Sequence, residues 1–395
     1  SPSTQQKKII TSMKHYDVIV IGLGIMGSAT LWHLARSGVC AIGVDAYGPT
    51  HTYGSSHGGT RIFRRAYWEG EKYLPLLDRA HQHWIELQKT TSRSLIMPTG
   101  GVFIGSHATG IVAGSQRTAQ AGNIPHELWD AAEIRRRLPA FQVRDNMQAI
   151  YEPGAYAIAA EDARLHMLNE AMCGSTCAWY GSTVDTLQHI DGFIRVNTSD
   201  GSSIYADTAI ITTGPWITKS LLPELHPHLT PNRVPIYWFK PKSECLKSFD
   251  YSTFPVFLYE CDDGSLLYGL HCNTSTERGV KIGFHNKQHT SCAPDGLLHR
   301  VSIAQKEEIS HYVEQIFVGL HPDPVDAQLC FYTMSTDESF IIDVSNHHPN
   351  IFYASVCSGH GFKFAPAIGE ILSALAQRKV PPVDISVFQT DRFTT

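Results

Sequence analysis

Residues 55–70 of this sequence, SSHGGTRIFRRAYWEG, concentrate cationic side chains that could bind an anion. Arg61, Arg64 and Arg65 follow one another closely, and the first acidic residue of the segment is Glu69. The whole chain has 32 lysines and arginines against 37 aspartates and glutamates, so its formal charge is −5. A cationic cluster in an acidic chain indicates a local anion site, although an isolated arginine is usually a solvated surface charge.

A second chemical motif occurs in HYDVIVIGLGIMGSATLWHLARSGVCAIGVD, residues 15–45. Gly22, Gly24 and Gly27 form the pattern G-x-G-x-x-G, and Asp45 follows at the end of the next apolar run. In this pattern the glycines permit a tight turn, a close approach to a pyrophosphate and close helix packing, while the acid accepts hydrogen bonds from a ribose. The motif predicts a site for FAD or NAD; the alternative is a glycine-rich turn without a ligand.

Two further stretches contain reactive side chains. Residues 281–285, KIGFH, place Lys281, Gly283 and His285 on one face of a strand, which is either a polar surface or a row that reaches a ligand. Cys330 stands alone in CFYTMSTDESFIID, and a lone cysteine is most often a small buried apolar residue.

Hydrophobic periodicity predicts the elements that position the glycine motif. Val18–Ile21 reads as a buried strand, Ile25–Arg36 as a helix and Cys40–Val44 as a second strand. Downstream, a three-stranded meander runs from residue 185, and its last strand, Thr208–Thr212, ends before Gly214. Such a meander is typical of FAD proteins, whereas an NAD domain continues as strand-helix units, so FAD is favoured by analogy of topology.

A chain of 395 residues is expected to form two domains. We predict an FAD-binding domain from residues 13–90, 151–222 and 326–389, and a substrate domain from residues 91–150 and 223–325. Residues 1–12 are predicted to be a disordered extension or a cloning remnant. The substrate domain is expected to contain an antiparallel sheet, from the strand-like segments Val234–Phe239, Pro255–Tyr259, Ser265–Leu270 and Val280–His285. Helical spacing returns at Ala304–Phe317 and Pro366–Gln377, the latter after the glycine turn SGHGFKFAP.

Composition narrows the classes of function. Hydrophobic residues make up 43% and charged residues 17%, which is typical of a globular protein and offers nucleic acid no broad cationic surface. No apolar run approaches the ~20 residues of a membrane-spanning helix. The nine cysteines include no second pair to match Cys173 and Cys177, so neither a zinc site nor a disulfide framework is indicated, and a reduced, cytoplasmic setting is expected.

Taken together, these stretches resemble the monomeric sarcosine oxidase and N-methyltryptophan oxidase family of FAD-dependent amine oxidases. The resemblance implies a mixed α/β fold of the glutathione-reductase and D-amino-acid-oxidase type, with a Rossmann-like FAD domain and an antiparallel-sheet substrate domain. The matching stretches are IGLGIMGSATLWHLARSG with Asp45, GSSHGGTRIFRRAYWEGEKYLPL, AIITTGPW, KIGFH, CFYTMSTDESFIID and SGHGFKFAPAIGE.

The resemblance also implies roles for individual residues. Arg64 and Lys363 would hold the carboxylate of an amino-acid substrate, and Cys330 would bond covalently to the flavin. The other catalytic candidates are Lys281 for oxygen activation, His57 and Arg61 as cations facing the flavin, His285 near the amine, and Tyr268 as a weaker candidate. The implied cofactor-binding residues are Gly22, Gly24, Gly27, Asp45, Thr60, Gly214, Cys330, Gly359, Gly361 and Lys363.

The implied activity is oxidation of a secondary amino acid, N-methyl or cyclic. A hydride would pass to flavin N5, and oxygen would then reoxidise the flavin, giving an imine and hydrogen peroxide. The chain departs from the family pattern at Gly59, Arg65 and Trp68, where Asp, His and Gly are usual, which leaves the identity of the amine open. The alternatives are a flavin-dependent dehydrogenase with another electron acceptor and a non-catalytic nucleotide-binding protein. A monomer is expected, with no metal, nucleic-acid or membrane partner.

Overall fold

The structure is a computed structural model that describes residues 14–48, 59–107, 109–219, 221–273, 278–294, 300–356 and 359–394. The predicted extension at residues 1–12 and the candidate His57 lie outside the described residues. Backbone contacts divide the chain into two compact units. The first comprises residues 1–56, 161–231 and 332–395, and the second comprises residues 57–160 and 232–331.

An eight-stranded sheet, counted over the described residues, forms the centre of the first unit. His15–Ile21 pairs in parallel with Ala41–Asp45 on one side and with Ser203–Ile211 on the other. Ala41–Asp45 pairs in parallel with Thr176–Tyr180 on its other side. Ser203–Ile211 pairs in parallel with His348–Ser355. Ile19 and Val20 are both fully buried although they point to opposite faces, so both faces of the sheet are covered.

The predicted meander is confirmed as an antiparallel extension of this sheet. Its strands are Val184–Ile190, Phe193–Thr198 and Ser203–Ile211. The first turn has Asp191 at φ +47° and Gly192 at φ +88°, the left-handed pair that a two-residue hairpin requires. A second antiparallel extension joins Ile341–Ser345 to His348–Ser355.

Helices of the first unit pack closely enough to require a glycine. The predicted helix Ile25–Arg36 is confirmed with the same bounds, and the predicted last helix is Ala365–Ala376. A Cβ on Gly369 would lie 2.5 Å from the backbone carbonyl carbon of Ala29, so the two helices touch through their backbones. A third helix of the unit is Ala160–Ala171.

The second unit contains a nine-stranded sheet, again counted over the described residues. In spatial order the strands are Thr290–Ser291, Leu229–Phe239, Gly279–Phe284, Leu266–Asn273, Val256–Glu260, Gly101–Ser106, Met147–Glu152 and Glu127–Asp130, and Asp326–Ser335 also pairs with Leu229–Phe239. The predicted strands from residue 234 onward are all present. The sheet is antiparallel at its hairpins but parallel where Val256–Glu260 meets Gly101–Ser106, because a long connection rather than a turn joins those two strands.

A small three-stranded sheet accounts for the largest differences between these units and the predicted domain boundaries, while residues 223–231 and 326–331 also fall in the other unit. Thr60–Phe63 and Ile96–Met97 both pair antiparallel with Tyr156–Ala159, which draws residues 57–90 and 151–160 into the second unit. The assignment of separate functions to the domains stays a prediction.

The remaining helices of the second unit surround its sheets. They are Leu74–Lys89, Ile111–Ala121, Ala131–Arg137 and Ile303–Ile316, the last close to its predicted bounds. Ser302 begins that last helix with a capping box, in which its hydroxyl accepts from the Gln305 backbone and the Gln305 side chain accepts from the Ser302 backbone. Within the described parts of the chain, no helix is both long enough and apolar enough to cross a membrane.

The glycine contact in the first unit gives a stability test. We expect Gly369→Ala to lower the free energy of unfolding by about 1–3 kcal/mol, because the new methyl group collides with rigid backbone. Gly48→Ala is the matched control, since no described atom lies within 4 Å of its Cβ position. Chemical denaturation of both variants measures the effect, and equal stability of the two would contradict the packing described.

Candidate functional site

The glycine motif turns sharply at the carboxyl end of the first strand. Gly22 has φ +92°, and a Cβ there would lie 2.5 Å from the carbonyl oxygen of Thr212. A Cβ on Gly27 would lie 1.8 Å from the carbonyl oxygen of Gly22, so the helix packs directly on the turn. Gly24 is the N-cap of that helix. The N–H groups of a first helical turn have no partner within the helix itself, so this end of a helix suits an anion.

Asp45 is fixed against this turn. One carboxylate oxygen accepts from the Leu23 amide at 2.7 Å, and the other accepts from the Tyr47 amide at 2.9 Å. Sequence reasoning missed the neighbouring Arg164, which is 4% exposed and donates from Nη1 to the carbonyl oxygen of Leu23 at 2.9 Å. Burial lowers the pKa of Arg164, and the Asp45 carboxylate opposes that shift. The turn that precedes the helix therefore lies between a buried anion and a buried cation.

The same sheet edge has the features expected of a dinucleotide cradle. The neighbouring strand Ser203–Ile211 leads to Thr212, whose hydroxyl donates to the Gly22 carbonyl at 2.8 Å. Gly214 follows with φ +55° and has no described atom within 4 Å of its Cβ position. The Thr213 hydroxyl between them is buried and has no hydrogen-bond partner among the residues that the structure describes. A bare glycine and an unpaired hydroxyl at the carboxyl ends of parallel strands fit a bound dinucleotide.

The glycine turn before the last helix is tightly packed. Gly359 has φ +80°, and a Cβ there would lie 2.4 Å from the Tyr332 ring. A Cβ on Gly361 would lie 2.3 Å from the carbonyl oxygen of Val356. Lys363 follows in a short 3-10 helix, is 6% exposed and donates from Nζ to the carbonyl oxygen of His360 at 2.7 Å. The structure therefore gives these glycines a packing reason, which is independent of their predicted role in cofactor binding.

In the second unit, two of the predicted cations converge on one carbonyl group. Lys281 Nζ donates to the Thr60 carbonyl oxygen at 2.6 Å, and Arg61 Nη1 donates to the same oxygen at 2.9 Å. The Lys281 side chain is almost fully buried, with 3% of its surface exposed. The Lys281 ammonium and the Arg61 guanidinium share one neutral acceptor, so positive charge is concentrated at the Thr60 carbonyl.

The predicted face of the Lys281 strand is present. Tyr268 pairs with Gly283 on the neighbouring strand, and a Cβ on Gly283 would lie 2.7 Å from the Tyr268 hydroxyl oxygen. The phenol therefore lies across Gly283, between the positions of Lys281 and His285 along the strand. The imidazole of His285 contacts the Trp68 indole edge to face, with ring centroids 6.1 Å apart and planes at 84°.

Arg64 already holds a carboxylate in this structure. It is 4% exposed, and its guanidinium donates from Nη1 to one oxygen of Glu69 at 2.8 Å and from Nη2 to the other. The guanidinium carbon lies 4.3 Å from the centre of the Tyr67 ring. Burial alone would lower the pKa of Arg64, but Glu69 outweighs that effect and the pKa is raised. Sequence reasoning noted Glu69 as an acid but did not predict this pair.

The three arginines of the cationic segment do not form one cluster of free charge. Arg65 extends to Asp78, with Nη1 and a carboxylate oxygen 3.5 Å apart. Its backbone amide and that of Ala66 donate to Glu152, whose carboxylate is fully buried. Burial raises the pKa of Glu152, and the two amides oppose that shift. Glu152 thus fixes the chain immediately after Arg64, a role that its distant position in the sequence does not reveal.

Cys330 lies in the interior, as its residue type predicts. It is 3% exposed and belongs to a small apolar cluster with Ile236 and Trp238. The thiol faces the carbonyl oxygen of Phe331 at 3.8 Å. Its attachment to a flavin stays a prediction.

A parallel sheet with a glycine turn, and an aspartate at the end of the next strand, are typical of dinucleotide-binding domains. The sequence profile of the family described as FAD dependent oxidoreductase matches residues 17–375. The chain belongs to this family, and it is an FAD-dependent enzyme. The residues at the glycine turn and at Gly214 fit that cofactor.

Individual relatives confirm the resemblance stated from the motifs. The chain is 33% identical to monomeric sarcosine oxidase of Streptomyces avermitilis over 379 residues, which cover 95% of this chain and 97% of the relative. It is 33% identical to N-methyl-L-tryptophan oxidase of Salmonella agona over 383 residues, 96% of this chain and 99% of the relative.

Solved structures confirm the predicted fold. NikD, an amino acid oxidase of nikkomycin biosynthesis in its open form, superposes with a TM-score of 0.80 at 21% identity, covering 95% of this chain and 98% of NikD. L-proline dehydrogenase from P. horikoshii gives a TM-score of 0.80 at 17% identity, covering 96% and 98%.

The contribution of Glu152 to stability, through the two backbone amides that follow Arg64, can be tested. We expect Glu152→Ala to lower the free energy of unfolding by about 2 kcal/mol or more, because two buried amides lose their hydrogen-bond acceptor. Glu260→Ala is the matched control: its carboxylate also accepts two amides, from Gly110 and Ile111, but it is only partly buried, so water can replace it. Denaturant titration measures both. Equal losses would contradict the special role of Glu152.

Proposed function

We propose that this protein is an oxidase of secondary amino acids, with an N-methyl or cyclic amine. The observation that carries the proposal is the buried Arg64, whose guanidinium fork is engaged by two carboxylate oxygens in this structure. The named relatives support the substrate class, since sarcosine and N-methyltryptophan both combine a secondary amine with a carboxylate.

Binding of the substrate is an exchange of carboxylates on Arg64. A guanidinium fork matches any carboxylate with two hydrogen bonds, so the substrate competes with Glu69 for the same donors. The exchange keeps the arginine charge paired throughout, which matters because an unpaired buried charge is strongly unfavourable. Lys363 is proposed, from the family resemblance, to bind the same carboxylate. A fixed carboxylate then orients the amine and its reacting C–H bond.

The amine end of the substrate is assigned to Tyr268 and His285. The phenol and the imidazole share the face of the sheet with Lys281. Both groups can hydrogen-bond an amine, and neither is assigned a proton transfer, because an amine that binds neutral needs no strong base. Their role in the proposal is to position the amine.

The cofactor is proposed to lie on Gly22, Gly24, Gly27, Asp45 and Gly214, with further contacts from Thr60, Gly359 and Gly361. When bound, FAD supplies the acceptor for a hydride equivalent from the substrate and passes the two electrons to oxygen, which gives hydrogen peroxide. Lys281 and Arg61 hold positive charge at one carbonyl, and this charge stabilises the anion that forms when oxygen is reduced. His57 is proposed as a further cation. The imine product hydrolyses after release.

The role of Lys281 gives a kinetic prediction. We expect Lys281→Met to slow reoxidation by oxygen at least about 100-fold while reduction by the amine changes much less, because only oxygen reduction creates a new anion beside the lysine. Lys287→Met is the control, since Lys287 is only partly buried and contacts Phe284 and Tyr312. Stopped-flow absorbance separates the two half-reactions. Equal slowing of both would contradict this assignment.

Competition by Glu69 gives a binding prediction. We expect Glu69→Gln to tighten binding of a simple carboxylate such as propionate by about tenfold, because a neutral amide competes less well for the guanidinium. Arg64→Lys should weaken the same binding, since it keeps the charge but loses the fork. Calorimetric titration measures both variants. Weaker binding in Glu69→Gln would show that Glu69 assists the carboxylate instead of competing with it.

Covalent attachment through Cys330 is proposed from the resemblance alone. A thioether would retain the yellow cofactor in the protein pellet after acid precipitation. We expect Cys330→Ala to release the colour into the supernatant, while Cys261→Ala, at a half-buried cysteine of the same unit, does not. Complete release from the unmodified protein would overturn the attachment and leave the oxidase proposal intact.

One experiment tests the proposed function against its alternatives. Sarcosine, N-methyltryptophan, proline and pipecolate are added anaerobically, and the flavin absorbance is followed before and after air is admitted. Bleaching followed by peroxide formation supports the oxidase. Bleaching without peroxide would indicate a dehydrogenase with another acceptor. No bleaching by any of these amines would leave a nucleotide-binding protein as the better account.

A further inference from the structure

The indole of Trp68 has a buried donor that finds no acceptor among the residues described by the structure. Its Nε1 atom is shielded from solvent and makes no hydrogen bond with any residue that the structure describes. The buried indole of Trp129 in the same unit is paired, since it donates from Nε1 to Glu127 at 2.7 Å. A buried N–H without an acceptor is unfavourable by about 1–3 kcal/mol, so a ligand that displaces the groups shielding it and brings an acceptor gains up to that amount.

Trp68 lies among the residues assigned to the substrate. It contacts the His285 ring, and it packs with Tyr268 against one apolar cluster. It also directly precedes Glu69, which occupies Arg64. The indole thus lies beside the residues assigned to the amine, and Trp68 is adjacent in sequence to the carboxylate that occupies Arg64.

The residue also packs against a helix. Helix Ile111–Ala121 approaches it through Gly114, where a Cβ would lie 3.3 Å from the Cβ of Trp68. The surrounding cluster is apolar, with members such as Phe103, Ile111 and Leu258. The buried members of this cluster have no acceptor in their side chains, so these members cannot pair the indole N–H.

We propose that Trp68 determines substrate specificity by donating its Nε1 hydrogen to an oxygen in the side chain or N-substituent of the substrate. The proposal rests on the proposed function and narrows it. The preferred substrate is a secondary amino acid with an additional carbonyl, hydroxyl or carboxylate group. A substrate of the same shape with an apolar group leaves the donor unpaired, and the mismatch weakens its binding.

The test compares two substrates of nearly equal shape, N-methyl-L-asparagine and N-methyl-L-leucine. We expect kcat/KM to favour the asparagine derivative by about tenfold in the unmodified enzyme. Trp68→Phe keeps an aromatic ring but removes the donor, and should abolish this preference through loss of activity on the asparagine derivative alone. Trp129→Phe, which removes the paired indole, should leave the preference unchanged.

A second measurement separates this inference from the oxidase proposal. Succinamate and 4-methylpentanoate have the shapes of the two substrates but contain no amine, so calorimetry of their binding does not depend on oxidation. Tighter binding of succinamate that disappears in Trp68→Phe supports the role of Trp68 even if no amine bleaches the flavin. A preference that is absent, or that survives Trp68→Phe, overturns the role of Trp68 whatever the oxidation assays show.

Discussion

The buried charge of Arg64 is the constraint on which the second unit depends. A guanidinium removed from water needs a carboxylate partner, and in this structure Glu69 fills that place with both of its oxygens. The surroundings are arranged to keep the arginine there: Tyr67 lies under its face, and Glu152 holds the backbone that follows. We propose that a site built in this way prefers ligands with a carboxylate, because any other ligand leaves the charge with its internal partner.

In the first unit, buried charged side chains are paired with backbone groups. The glycine turn is held by Asp45 on its amide side and by Arg164 on its carbonyl side. These two buried charges lie near one another, so each offsets part of the other's desolvation. The start of the helix and the Asp45 carboxylate lie at the same edge of the sheet, an arrangement typical of dinucleotide-binding domains.

Local patterns predicted the elements of the fold well. The helix Ile25–Arg36 has the expected bounds because its apolar spacing and following glycine specify both ends. Long-range pairing was less accessible: the parallel contact of Val256–Glu260 and the partners Glu152 and Arg164 depend on residues far apart in the chain. The sequence analysis identified the local positive charge of the cationic segment but not the acids that Arg64 and Arg65 bind, because side-chain direction is set by the folded structure.

We propose that a substrate binds only when its carboxylate replaces Glu69 on Arg64. This is tested most directly by the anaerobic rate of flavin bleaching by N-methyl-L-alanine and by the methyl ester of the same amino acid. The ester retains the secondary amine and the reacting C–H bond but cannot replace Glu69 on the guanidinium. We predict an apparent second-order rate constant for the ester at least about 100-fold below that of the acid. Comparable rate constants for ester and acid would contradict the account.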